Sequence, residues 1–185
     1  EAAVNLYTAS DHGKAFNNKV KGAPTCITCH SSDITSSSSL SKIDLKIVQE
    51  KLCLSCHLDN EDIRSRTSVS AGFIRAYEHS AHGLSLHKGN GDAANCVDCH
   101  GAHIVAKGSD PVSLVNSRNI PNTCGTCHDV IAAEYSTSAH GSALARGVKS
   151  APSCTDCHGE HTILSPSNPL SPVAPKNVSG KVCSP

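Results

Sequence analysis

The apolar positions of this chain sustain a helical period only in short stretches. The clearest runs Ser41-Lys-Ile-Asp-Leu-Lys-Ile-Val-Gln-Glu-Lys-Leu-Cys53 and predicts a helix over Ser41 to Cys56. A second helix is expected over Val130 to Ala139. Little or no sheet is expected. No run of about 18 apolar residues occurs, so no helical membrane span is expected. The segment from Ser165 to Pro185 holds five of the nine prolines and is expected to be extended.

Such a pattern leaves the core unexplained. The 185 residues include no Trp, no Met, three Tyr and two Phe, and hydrophobic content is 38%. Cores are normally built from aromatic and branched side chains, which are scarce here. Cys (eleven) and His (twelve) are in excess instead. Folds short of core rely on disulfides or metals, and the spacing decides between them.

Ten of the Cys form five C-x-x-C-H motifs. The first is Cys26, Cys29 and His30, and the second Cys53, Cys56 and His57. The third is Cys96, Cys99 and His100, the fourth Cys124, Cys127 and His128, and the fifth Cys154, Cys157 and His158. Two thiols at this spacing can take up the two vinyl groups of one haem, and the next His then reaches the iron from that side. This is the attachment signature of c-type haem. A disulfide framework does not require a His after each pair. Zinc ribbons use two C-x-x-C units per metal, which divides five motifs unevenly. A thioredoxin-like motif would occur once, in a βαβ setting.

A longer repeat surrounds these motifs. All three Tyr stand in Y-x-x-S-x-H-G, with Tyr7, Ser10, His12 and Gly13 in the first copy. Tyr77, Ser80, His82 and Gly83 form the second, and Tyr135, Ser138, His140 and Gly141 the third. Each of these His precedes a haem Cys by fourteen residues, and another motif follows 27 or 28 residues later in the first two copies. The chain thus reads as one multihaem domain with unit one over 7–59, unit two over 77–129 and an incomplete unit three over 135–185. A Ser-rich, charged stretch from Leu58 to Gly72 separates the first two units. Cys183 falls where the repeat places the first Cys of a further motif, so a sixth site begun there, in a longer chain, is expected.

Each iron needs a ligand opposite its motif His. With Met absent, that ligand is expected to be His. His12, His82 and His140 recur in Y-x-x-S-x-H-G. His103 and His161 recur in C-H-G-x-H, and Asp33 takes that place in unit one. A His three residues beyond a motif His points away from its own iron and is expected to serve a neighbouring haem. These five are the expected distal ligands, but by repeat unit the count is uneven. Unit one has two motifs and one such His, and unit three has one motif and two such His. Donation between units or subunits would balance it. His79 and His87 do not recur and are read as surface or haem-edge residues, with His79 an alternative to His12 or a ligand for the haem at Cys53. The repeated Tyr are expected to pack on haem and bond through the hydroxyl, and the repeated Ser to be helix N-caps.

Formal net charge is zero, which gives no case for nucleic acid or an anionic membrane as partner. Because c-type haem is attached outside the cytoplasm, the chain is expected to be exported, extracellular or periplasmic, with its signal peptide removed.

The repeats, with S-x-H-G and C-H-G-x-H, resemble the multihaem cytochromes c. They look most like small bis-His electron carriers, and also like cytochromes that polymerise into extracellular conductive filaments, where a neighbouring subunit can donate a distal His. The resemblance implies a haem-cored, mostly irregular fold with short helices. It implies electron transfer along five haems without enzymatic catalysis, and exchange with other redox proteins or an extracellular acceptor. Self-association into a filament is expected from it. A soluble periplasmic shuttle and, further off, a reductase of nitrite, hydroxylamine or sulfur oxyanions are the alternatives.

Overall fold

A computed structural model describes residues 1–30, 40–66 and 71–184. It contains short helices and, among the described residues, no strand. The chain divides into two compact units, Glu1–Ala106 and Lys107–Pro185. That boundary falls inside the second sequence repeat.

In the first unit the helices are α1 Ala2–Ala9, α2 Asp11–Asn17, α3 Cys26–Cys29, α4 Lys42–His57, α5 Glu61–Arg64, α6 Ala71–Arg75, α7 Ala81–His87 and α8 Cys96–His100, with a 3-10 turn at Ala76–His79 before α7. The helix expected from Ser41 is α4, shifted by one residue because Ser41 is its cap: the Ser41 hydroxyl accepts the Asp44 N–H at 3.2 Å. This 16-residue helix packs against α5, α7 and α8.

The second unit holds α9 Ile120–Gly125, α10 Asp129–Thr137, α11 Ala139–Ala145, α12 Cys154–His158 and a π-helical turn at Ser179–Cys183. α10, the helix expected near Val130, packs on α9 and α11, and α9 meets α12. It stops at Thr137 because Ser138 leaves the helix and caps the next one.

The extended course expected from Ser165 is replaced by a chain of hydrogen-bonded turns. Ser171 is fully buried and Ala174 nearly so. Pro fixes φ near the value that a turn needs as readily as one that an extended strand needs, so proline content alone did not decide the segment. Asp33, the residue in place of a distal His, lies outside the described residues.

The interior is small. Among the described residues, the buried apolar side chains larger than alanine are Leu58, Leu86, Ile120 and Leu144. Beside them lie buried Ser10, Ser80, Asn95, Ser113, Ser153 and Ser171. The interior of each unit is therefore a set of hydrogen-bonded corners more than an apolar core.

Candidate functional site

The three Y-x-x-S-x-H-G segments fold alike. Ser10, Ser80 and Ser138 each leave the preceding helix with extended backbone and accept the N–H of Gly13, Gly83 and Gly141 at 3.0, 3.0 and 3.1 Å. Each is thus the N-cap of α2, α7 or α11, as the sequence implies. His12, His82 and His140 are the second residues of those helices. The Tyr hydroxyl then donates to a carbonyl two residues ahead of the next haem motif: Tyr7 to Pro24 (2.6 Å), Tyr77 to Ala94 (2.7 Å) and Tyr135 to Pro152 (2.7 Å). Burial raises the pKa of each phenol, most strongly for Tyr77, which keeps it a donor. Each Tyr therefore ties the corner bearing a His to the start of a Cys motif.

The glycine after each His has a steric reason. A Cβ on Gly13, Gly83 or Gly141 would stand 2.0, 2.2 or 2.1 Å from the carbonyl oxygen of Tyr7, Tyr77 or Tyr135. Gly83→Ala is expected to lower stability by about 1–3 kcal/mol, the usual cost of overpacking. Thermal unfolding of the haem-loaded protein measures it, and an unchanged midpoint would contradict this account.

The motifs that follow a corner also share a start. Thr25, Asn95 and Ser153 are N-caps, and Thr28, Asp98 and Asp156 reach back to their backbone N–H at 3.0, 2.8 and 2.7 Å. These capping boxes begin short helices that carry both thiols of a motif. Cys26 and Cys29 lie on α3, Cys96 and Cys99 on α8, and Cys154 and Cys157 on α12. Gly101 and Gly159 end α8 and α12 with φ of 77° and 80°, a region glycine enters freely. That turn sends His103 and His161 off the helix axis. The second motif of each pair is held differently. Cys53, Cys56 and His57 lie on the last turns of α4, Cys124 lies on α9, and Cys127 and His128 fill the link to α10.

In the first unit α4 clasps the third motif. Asn95, buried, donates to Gln49 Oε1 at 2.8 Å and to the Lys46 carbonyl at 3.2 Å. Lys46 pairs with Asp98 at 2.8 Å and donates to the Ala93 carbonyl. No disulfide joins any two of the eleven cysteines. The Cys96 thiol donates to Cys53, which raises the pKa of Cys96 and lowers that of Cys53. Cys99, the second thiol expected to hold the third haem, is half-buried. Both thiols of this motif lie near the tyrosine corner: after burial and Glu50, the charges of Cys96 and Cys99 add to the rise in the Tyr77 pKa. Cys29 is raised by burial and by its neighbours Cys53 and Cys56. In the second unit the Cys124 thiol donates to Cys154, whose pKa falls to about 7, and Cys157 is raised by burial, Asp156 and Cys183. Successive motifs are therefore neighbours within each unit.

Two expected distal His lie beside a motif His from a different part of the chain. The rings of His12 and His57 have centroids 5.9 Å apart with planes inclined by 30°, and those of His30 and His103 lie 5.8 Å apart, 12° from parallel. Burial lowers the pKa of His12, His57, His158 and His161, with the His57 and His128 charges adding to the effect on His12 and His158. Neutral imidazole is the form that ligates a metal. His140 lines a cavity of about 330 Å³ with Pro152, Asp156, Cys157, Val182 and Cys183. His87 faces Glu50 on α4, and His79 ends the 3-10 turn.

Sequence reasoning missed one repeat. Asn119 donates through its amide to the carbonyls of Pro111 and Ser113, both at 2.8 Å, ahead of Cys124. Asn177 does the same to Pro169 (2.9 Å) and Ser171 (2.8 Å), ahead of Cys183. The signal is Asp110-Pro111-Val112-Ser113 with Asn119, against Asn168-Pro169-Leu170-Ser171 with Asn177.

The residues fit covalently held haem. Metal–nitrogen bonds near 2.0 Å place two imidazoles on opposite sides of one metal with ring centres roughly 6 Å apart, the spacing of both His pairs. The ten motif thiols, none of them buried, stand two by two on short helices or the turns that follow them. No curated protein and no solved structure matches the chain. The family of cytochrome c7 and related cytochrome c matches residues 76–159, a segment that holds three of the five C-x-x-C-H motifs. That segment, with its repeated His corners and haem-attachment helices, is that of a multihaem c-type cytochrome.

Proposed function

We propose that this electron-transfer protein carries five bis-His haems, with His103 the distal ligand of the iron at Cys26, Cys29 and His30 and His12 that of the iron at Cys53, Cys56 and His57. The spacing of the two imidazole pairs carries this reading. Each haem, once bound, stores and releases one electron at iron. Two imidazoles per iron keep the coordination the same in both oxidation states and set lower potentials than His/Met ligation. The chain's own work is to fix the imidazoles, which the Tyr–carbonyl bonds and Ser caps do, and to bring successive motifs side by side.

The compact units also alter the ligand count. Glu1–Ala106 holds three motifs together with His12, His82 and His103, and Lys107–Pro185 holds two motifs with His140 and His161. The unevenness seen by sequence repeat disappears, so the ligand set requires no His from a neighbouring subunit. That favours a self-contained carrier, exported because its haem is attached outside the cytoplasm, over the filament subunit that the sequence resemblance implies. Ahead of Cys183 the Asn177 clamp repeats the Asn119 clamp that precedes the fourth motif, and Cys183 lies beside His140.

Intact mass of the native protein with negative-stain microscopy of the same sample tests the proposal. Five haems on discrete particles are the expected result. Long polymers would restore the filament, and fewer than five haems would overturn the site assignment. A reductase requires an iron with an open position, so carbon monoxide binding by the native protein would point there.

A further inference from the structure

One stripe of α4 is fastened to the segment that leads into the third motif. Lys42, Lys46, Gln49 and Cys53 follow one another at intervals of four, three and four residues, so they share one side of the helix. Lys42 pairs with Asp92. The Lys46 ammonium meets the Ala93 carbonyl at 2.7 Å and the Asp98 carboxylate at 2.8 Å. Gln49 Oε1 accepts from the Asn95 amide at 2.8 Å, and the Cys53 sulfur accepts the Cys96 thiol. The contacts advance together along both segments and end where an attachment point of the second haem meets one of the third.

Starting a haem motif does not require this strap. Asn95 is fully buried and uses its whole side chain: Oδ1 accepts the N–H of Val97 and Asp98 at 3.0 and 3.3 Å, and Nδ2 donates to Gln49 and to the Lys46 carbonyl. Capping of α8 needs Oδ1 alone. Ser153 holds the equivalent place at the fifth motif, where its hydroxyl bonds Asp156 at 2.9 Å and the capping box still forms. The Lys46 side chain is 12% exposed, and a cation is withdrawn from water only where its partners are well placed. The matching helix of the second unit, α9, has six residues and no comparable stripe.

We propose that Lys46 and Asn95 are positioning residues for electron exchange between the second and third haems. The idea rests on the electron-transfer reading. One electron leaves one of the two irons as the other takes it up, and no bond is made or broken. The strap sets how the attachment points of the two haems stand to each other, which a single contact between sulfurs would leave loose.

Nuclear magnetic resonance of the haem-loaded full chain at successive stages of reduction tests it, since haem methyl signals report exchange between individual haems. The second and third haems are identified in chains lacking Cys53 and Cys56 or Cys96 and Cys99. Asn95→Ser installs the residue of the fifth motif and keeps the cap, Lys46→Met removes the ion pair, and Gln49→Ala removes one hydrogen bond. Each variant should keep five low-spin haems. Exchange between the second and third haems should slow by roughly tenfold to a hundredfold, the larger figure being the loss that a misplacement of about 1 Å can cause at a positioned pair. Gln49→Ala should have the smallest effect, and exchange between the fourth and fifth haems should stay as it is. Asn95→Ser removes no charge and should leave the potentials unchanged, whereas Lys46→Met should also lower that of the third haem. Unchanged exchange in Asn95→Ser and Gln49→Ala would overturn the proposal. So would slowing spread evenly over all haem pairs, the mark of a loosened fold, or a Lys46→Met variant altered in potential alone. Haems that fail to reduce and reoxidise at all would instead sink the electron-transfer reading.

Discussion

Withholding haem from this chain should leave it unfolded, with most of its helical signal lost. Isolated helices shorter than about 12–15 residues are marginal in water, and apart from the 16-residue α4 every helix described is nine residues or shorter. Such helices persist only when packed. The packing available from protein alone is Leu58, Leu86, Ile120, Leu144 and a few alanines. The buried serines and Asn95 satisfy backbone groups of adjoining turns and helix starts, but a hydrogen bond nets only about 0.5–1.5 kcal/mol because water offers the same partner to the unfolded chain. Against this stands the ordering of more than a hundred residues at about 1–2 kcal/mol each. Meanwhile Val4, Leu6, Ile27, Val130 and Ile131 are exposed, apolar surface that haem faces can cover. Far-UV circular dichroism and limited proteolysis of chain made without haem attachment measure the effect. A cooperative thermal transition in that chain would show that the protein supplies its own core.

The same shortage of core explains what the sequence could reveal. Attachment of haem imposes fixed local spacings, so the five motifs, the Ser caps of α2, α7 and α11 and the Tyr corners are all legible as a repeat and are found where the repeat places them. α4 was legible because it alone is long enough to show a period. Contacts between distant segments were not legible. Nothing local links His103 to His30 or Glu50 to His87, since each partner is brought in by a different helix. Nor does the motif spacing tell that Cys96 meets Cys53. The turns over 165–178 were misjudged as extended because their determinant is the Asn177 amide reaching two carbonyls, a polar contact that no hydrophobic pattern records. Asn119 offered the matching copy, but its signal is four residues and a spacing, weaker than a Cys motif.

Replacing His103 by Ala should open a single iron out of five, and it should be the iron at Cys26 and Cys29. The native protein, with two imidazoles on each iron, should be low-spin throughout and indifferent to carbon monoxide. The variant should show one high-spin haem that binds carbon monoxide, while the other four keep their spectrum. His12→Ala should do the same at Cys53 and Cys56, and the double variant should bind two equivalents, since the two His pairs share no residue. Identity of the opened site follows from combining each variant with loss of a motif. In a chain with Cys26→Ala and Cys29→Ala, which should carry four haems, His103→Ala should open no further iron, whereas His12→Ala should still open one. The reverse should hold in a chain lacking Cys53 and Cys56. If His103→Ala opens an iron in the absence of the first motif, the ring pair at 5.8 Å is a packing contact and the ligand lies elsewhere. His103→Met gives an independent reading, because exchanging one imidazole for a thioether keeps the iron six-coordinate and raises its potential. One component of the reduction curve should then move to higher potential while carbon monoxide still fails to bind. A ligand exchange and a ligand loss at the same residue thus leave different signatures at the same haem, which a merely structural histidine could not produce.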